Sequence, residues 1–197
     1  MSGDTADPDY ADRLEHAQRV WWKRVVPVQL PYQLHLRRQR LGRTLDVGCG
    51  IGRNLRTLGP GSVGVDHNQA AVTYARGLGF DAMTVDEFLA NDRAQPAAFD
   101  SILLAHVIEH MARPDAEALL RTYLPYLKTG GTVFFICPQE RGYASDPTHV
   151  WFATGDDLFQ LSRTVDLEPQ RAWSFPFPRR AGKFFVYNEF CVRATKP

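Results

Sequence analysis

Four side chains able to move a proton or bind a metal ion fall in two short stretches of this chain: His106, Glu109 and His110 in HVIEH, and His149 in DPTHVW. Imidazole ordinarily titrates beside neutrality, so any of these histidines could take the proton from a weakly acidic hydroxyl. Glu109 and His110 follow His106 by three and four positions, which would place all three on one face of a helical turn. The same groups form a ligand set for a divalent ion, and three imidazoles would suit manganese, iron or zinc better than magnesium. Base and metal readings both stand here. His149, His106 and Glu109 are the catalytic candidates, and Glu109, His110, His149 and His106 the metal candidates.

A second constellation surrounds TLDVGCGIGRN, Thr44 to Asn54, where an apolar strand runs into Gly48, Gly50 and Gly52 and then into a helical pattern. Glycines at such a turn let a ligand approach the backbone, and the following helix start offers unpaired N–H groups. The spacing is GxGxG, and Arg53 stands where the last glycine of a dinucleotide site would fall. Asp46, at the strand end, would repel a pyrophosphate and welcome a cation. Asp66 closes the apolar run Val63 to Val65, placed to bridge a ribose diol, and Asp86 follows the next strand.

These groups need a scaffold that brings them together. Apolar strands at Thr44 to Val47, Val63 to Val65, Met83 to Val85, Ser101 to Ala105 and Thr132 to Cys137 alternate with helical patterns at Asn54 to Leu58, Gln69 to Leu78 and Asp115 to Leu127. The alternation predicts βαβ units and a parallel sheet with right-handed crossovers. The glycine loop, Asp66, Asp86 and His106 then meet at the carboxyl edge of that sheet. A helix over Gly155 to Leu161 and strands at Thr164 to Glu168 and Phe185 to Ala194 complete the reading. Upstream, Leu14, Ala17, Val20 and Trp21 form one helical stripe, and a basic helix spans Tyr32 to Arg40.

In the order LDVGCGIGRN, VGVDHN, TVDEF and FDSILLAHVIEHM, the chain resembles the class I S-adenosylmethionine (SAM)-dependent methyltransferases over Leu41 to Cys137. The resemblance implies an α/β, Rossmann-like sheet of seven mostly parallel strands, with an antiparallel strand in its last hairpin and helices on both faces. It implies that 1–40 form a helical lid on a methyltransferase domain at 41–197. It also implies SAM contacts at Asp46, Gly48, Cys49, Gly50, Asn54, Asp66, His67, Asp86, Glu87 and Ala105. HVIEH differs by one residue from the ExxEH pattern, completed by a later His, of RNA 3′-terminal 2′-O-methyltransferases, with His106 in place of a carboxylate; a magnesium or manganese ion is expected by that likeness. GYASDPTHVWF and FPFPRRAGKFFVYNEF resemble the small sugar O-methyltransferases. The implied acceptor is a sugar hydroxyl, the 1-hydroxyl of a methylated mannoside among them. Arg141, Tyr143, Asp146, Arg180, Tyr187 and Asn188 are its expected contacts, because aromatic faces beside planar hydrogen-bonding groups suit a polyhydroxylated ring.

Composition narrows the partners. With 197 residues and a net charge of +1, the chain fits one domain and gives no reason to expect nucleic acid. Three cysteines without a CxxC pair argue against a disulfide framework or zinc ribbon, and Cys49 reads as a packing residue. No apolar run would span a bilayer, so a cytoplasmic monomer or homodimer acting on a small-molecule or oligosaccharide acceptor is expected. Two rival readings remain: C- or N-methylation of a small aromatic or quinone acceptor, and a non-catalytic SAM-binding subunit.

Overall fold

The computed structural model describes residues 30–197, so the stripe from Leu14 to Trp21 and most of the expected lid lie outside the described residues. Seven strands form one sheet in the order β3-β2-β1-β4-β5-β7-β6. They are β1 (Thr44–Val47), β2 (Val63–Asp66), β3 (Ala82–Thr84), β4 (Phe99–Ala105), β5 (Leu127–Pro138), β6 (Glu168–Phe175) and β7 (Glu189–Thr195). β7 alone runs against the others, pairing antiparallel with β5 and β6. The chain moves outward from β1 to β3 and then returns to lay β4 on the other side of β1. That reversal opens a crevice beyond the carboxyl ends of β1 and β4.

Alternation along the strands builds two cores. On one face Leu45, Val47, Val63, Val65, Ile102, Leu104, Val133 and Phe135 meet Ala116 and Leu120 of α4 (Arg113–Tyr123) and Leu158 and Leu161 of α6 (Gly155–Thr164). On the other, Leu103, Ala105, Phe134, Ile136 and Cys191 receive Leu36 of α1 (Leu30–Arg38). Also on α1, His35 is buried and stacks on Phe175 with ring centroids 4.0 Å apart. Burial, with Arg38 adding to it, lowers the His35 pKa to about 4.

Three expected elements differ. Asn54 to Leu58 form turns, closed by Thr57 N–H and Leu58 N–H donating to the Asn54 carbonyl at 2.8 and 3.1 Å. Only six residues separate Gly52 from the Gly59-Pro60-Gly61 break, too few to repay helix nucleation. The expected strand at Thr164 to Glu168 falls on the end of α6 and a turn, with β6 beginning at Glu168. Residues 185–188 belong to the loop before β7. Elsewhere α2 (Gln69–Gly77) is capped by the Asn68 side chain, α3 (Val85–Leu89) and α6 by capping boxes, and the short α5 (Glu140–Tyr143) follows β5.

Candidate active site

The glycine loop is strapped across the end of β2. Gly48 N–H and Cys49 N–H both donate to the Val65 carbonyl, at 2.7 and 3.1 Å. Gly48 has φ +74°, and a Cβ there would run into the Val107 side chain. Gly50, at φ +52°, borders open space, and its N–H donates to Asp66 Oδ2 at 2.7 Å. Asn68 N–H donates to Asp66 Oδ1 at 2.8 Å. Asp66 is thereby fixed by backbone donors, with acceptor capacity left on each oxygen. His67 lies beside it, Nδ1 at 3.6 Å from Oδ1.

Asp46 is fully buried; its Oδ1 accepts from Asn54 Nδ2 at 3.3 Å, while its Oδ2 has no hydrogen-bond partner. Burial raises its pKa to about 7, Asn54 opposing the rise and Asp66 adding to it. Tyr32 of α1 donates its phenol to Asn54 Oδ1 at 3.2 Å, linking α1 to the loop. Burial raises the Tyr32 pKa well above its ordinary value, and the nearby Glu189 and Asp46 carboxylates push it further. A buried carboxylate oxygen without a partner is a costly arrangement that a cationic ligand relieves. Together with the open face at Gly50 it fits the sulfonium and ammonium of SAM. Cys49 is buried, and burial raises its thiol pKa, so it packs and does not attack.

One expected cofactor contact, Glu87, is engaged within the protein. The Glu87 carboxylate closes the capping box on Thr84 and pairs with Arg76 at 2.5 Å. Its hydrogen bonds to Arg76 and to the Thr84 backbone hold its pKa down at about 2. Asp86 is exposed on the first turn of α3, whereas Ala105 is buried at the end of β4.

Across the crevice, β4 is followed by His106, which has φ +59°. Its Nδ1 lies 3.1 Å from Glu109 Oε1 and its Nε2 2.9 Å from Glu189 Oε1. Burial alone would lower the His106 pKa, but the hydrogen bonds to Glu109 and Glu189 outweigh it and raise the value to about 10. Both ring nitrogens of His106 are thereby engaged by carboxylates. His106 stands outside the group that Glu109, His110 and His149 form. Glu109 and Glu189 are both buried, and each leaves its Oε2 without a partner. Burial would raise the Glu109 pKa, yet the His106 bond holds it below its ordinary value.

Glu109 and His110 sit on a 3-10 turn, Ile108–His110. One ligand atom from each of Glu109, His110 and His149 lies within 4.8 Å of the others, the one such group found among the described residues. His149 Nδ1 is 2.7 Å from the Tyr143 carbonyl, which can only accept, so Nδ1 carries the proton and Nε2 the lone pair. His110 Nδ1 lies 3.1 Å from Thr148 Oγ1, which is itself 2.7 Å from Asp146 Oδ1. With the carboxylate accepting from the hydroxyl, the hydroxyl accepts from Nδ1–H, and His110 too keeps its lone pair on Nε2. Burial lowers the His110 pKa. Tyr143, through its carbonyl, and Asp146, through Thr148, support the two histidines. The Tyr143 ring also stacks on His149, centroids 5.2 Å apart.

Asn188 is likewise a structural clasp. It is fully buried, donates to Gln139 Oε1 at 2.9 Å and accepts from Phe177 N–H at 2.9 Å. Arg141, Arg180 and Tyr187 are exposed around it, and Arg179 pairs with Glu140 at 2.6 Å. Sequence reasoning missed Glu189, Tyr32 and Thr148. A carboxylate directly before the apolar run Phe190 to Val192 was the available signal for Glu189.

Residues 14–191 match the model of a family described as "Methyltransferase domain". A ubiquinone biosynthesis O-methyltransferase from Ruegeria pomeroyi is 30% identical, over 88% of this chain and 87% of that protein. One of the same name from Aliivibrio fischeri is 27% identical over 66% of this chain. The match spans 62% of the Aliivibrio protein, so the chain covers about three fifths of that relative's length. A SAM-dependent methyltransferase from Aquifex aeolicus shares the fold with a TM-score of 0.68, at 17% identity, over 97% of this chain and 99% of that one. Among the described residues no helix is long and apolar enough to cross a membrane.

Proposed function

Given that this chain belongs to the SAM-dependent methyltransferase family, we propose that it methylates a hydroxyl of a small polyhydroxylated acceptor with the help of a divalent ion. The observation that carries this reading is the pair of fixed tautomers, both Nδ1 atoms spent on Tyr143 O and Thr148 Oγ1, beside the unpartnered Oε2 of buried Glu109. Metal-binding histidines are commonly held in this way, the second nitrogen tied to a carbonyl or another polar group. Glu109, His110 and His149 would hold the ion, and two imidazoles with one carboxylate favour manganese over magnesium. Such an ion would lower the pKa of a bound hydroxyl.

SAM supplies a methyl carbon made electrophilic by its sulfonium. The protein's part is to align the acceptor oxygen with that carbon and to remove its proton. Asp66 is placed for the ribose diol and Asp46 Oδ2 for a cationic group of the methionine end. Glu109 and Glu189, bridged by His106, bring two carboxyl groups to the same edge. A second reading dispenses with the ion and uses His149 Nε2 as the general base, because the same tautomer leaves that nitrogen basic.

The names of the relatives support oxygen as the methylated atom. Within that class both a sugar hydroxyl, such as the 1-hydroxyl of a methylated mannoside, and a phenolic hydroxyl remain to be tested. The test incubates protein and SAM with methylated mannosides and dihydroxybenzoates, with and without chelator, and detects methyl addition by mass spectrometry. Product lost with chelator and restored by manganese supports the ion, and product indifferent to chelator supports His149 as base. Methylation at carbon or nitrogen, or no turnover with any acceptor, overturns the proposal.

A further inference from the structure

We propose that residues 176–187, between β6 and β7, form a peripheral docking surface for a membrane with anionic headgroups. Phe177, Phe184, Phe185, Val186 and Tyr187 are all exposed there, Phe184 by 82% and Tyr187 by 53%. Single exposed apolar side chains are ordinary, but five within eleven positions form a patch of the kind that marks an interaction surface. The patch has a fixed shape. The Phe185 ring meets those of Phe177 and Tyr187 edge-on, with centroids 5.3 and 5.7 Å apart. At its base buried Asn188 accepts from Phe177 N–H and donates to Gln139 Oε1, and α5 fits so closely that a Cβ at Gly142 would strike the Val186 carbonyl. The rings are presented to solvent on a braced support.

Charge decides what the patch meets. Arg179, Arg180 and Lys183 lie within the segment, Arg141 lies on α5 beside it, and the single acid of these two stretches, Glu140, is taken by Arg179 at 2.6 Å. Arg141, Arg180 and Lys183 are left as exposed cations around the rings. A symmetric pairing with a second copy would set these cations against their own images, which repulsion opposes. Aromatic rings beside Arg and Lys match the boundary of a bilayer, where rings sit at headgroup depth and basic side chains meet anionic lipid. Phe184 protrudes as a wedge, whereas a protein partner's anchoring side chain would need a recess to fill. Among the described residues no helix is long and apolar enough to cross a membrane, so the contact is peripheral. The segment ends where β7 begins opposite Pro138, at the carboxyl end of β5, and docking therefore sets the crevice close to the bilayer surface.

The test floats full-length protein with phosphatidylcholine vesicles made with and without phosphatidylglycerol, at low and high salt. Binding should require phosphatidylglycerol and fall as salt is raised. Arg180→Gln combined with Lys183→Gln should weaken it about twentyfold, and Phe184→Ser about tenfold, with melting temperatures equal to wild type showing that the variants are folded. To locate the contact, Phe184→Trp should be quenched by brominated lipid and Leu78→Trp, at the exposed end of α2, should not. A wild type that ignores anionic vesicles overturns the proposal. So does binding that survives both sets of substitutions, or equal quenching at the two positions. Dimerisation that depends on Phe184, without vesicle binding, would assign the patch to a second copy and overturn it as well.

Discussion

The two sides of the crevice are built in opposite ways. On the cofactor side, Gly48, Cys49, Gly50 and Asn68 present backbone N–H groups to Val65 O and Asp66, and the whole cradle lies within residues 46–68. On the acceptor side, side chains separated by as many as 83 positions hold one another, as His106 and Glu189 do. A backbone cradle depends on glycine and chain geometry and tolerates little beyond its own sequence pattern. A side-chain network is adjustable residue by residue, and its members take their roles only from one another.

That contrast can be tested from its strongest consequence downward. His149→Ala should cost about 10²- to 10⁴-fold in kcat while leaving SAM affinity within experimental error, because His149 belongs wholly to the acceptor side. Loss of SAM binding in that variant would dissolve the division. Asp66→Ala should do the converse, weakening SAM about ten- to hundredfold in calorimetry because a buried carboxylate with two fixed backbone bonds is lost. An Asp66→Ala protein with wild-type SAM affinity would remove Asp66 from the cofactor cradle.

The smallest effect concerns the floor beneath the acceptor side, where His35 packs under Phe134, Trp173 and Phe175. Its folded pKa of about 4 lies below the ordinary 6.5, so between those values the unfolded chain binds the extra proton. Stability should fall as pH drops through that window. Urea midpoints measured from pH 7 to 5 should decline less steeply in His35→Gln, and equal slopes would show that His35 carries no such linkage.

The same contrast explains what could be read from the sequence. Asp46, Gly48, Gly50 and Asp66 were legible because a short strand, a glycine turn and the next strand end specify their relation locally. The parallel sheet followed from the alternation of strands and helices and its antiparallel strand from the family resemblance, whereas the turns at Asn54 to Leu58 reflect the nearby Gly59-Pro60-Gly61 break overriding a weak helical pattern. On the acceptor side the residue types were visible but their partners were not. Nothing in the sequence places Glu189 beside His106. Nor does it show the Tyr143 carbonyl meeting His149 or a threonine relaying Asp146 to His110.

One backbone detail separates the chemistry from the chain that carries it. Val150 N–H and Trp151 N–H both donate to the Glu109 carbonyl, at 2.7 and 3.1 Å. The far end of the loop that starts at Gln139 is thereby moored to the turn bearing Glu109 and His110 by bonds that involve no side chain. A change of side chain within residues 140–147 leaves those two bonds in place, so Val150 and Trp151 stay docked on that turn whatever the segment between carries.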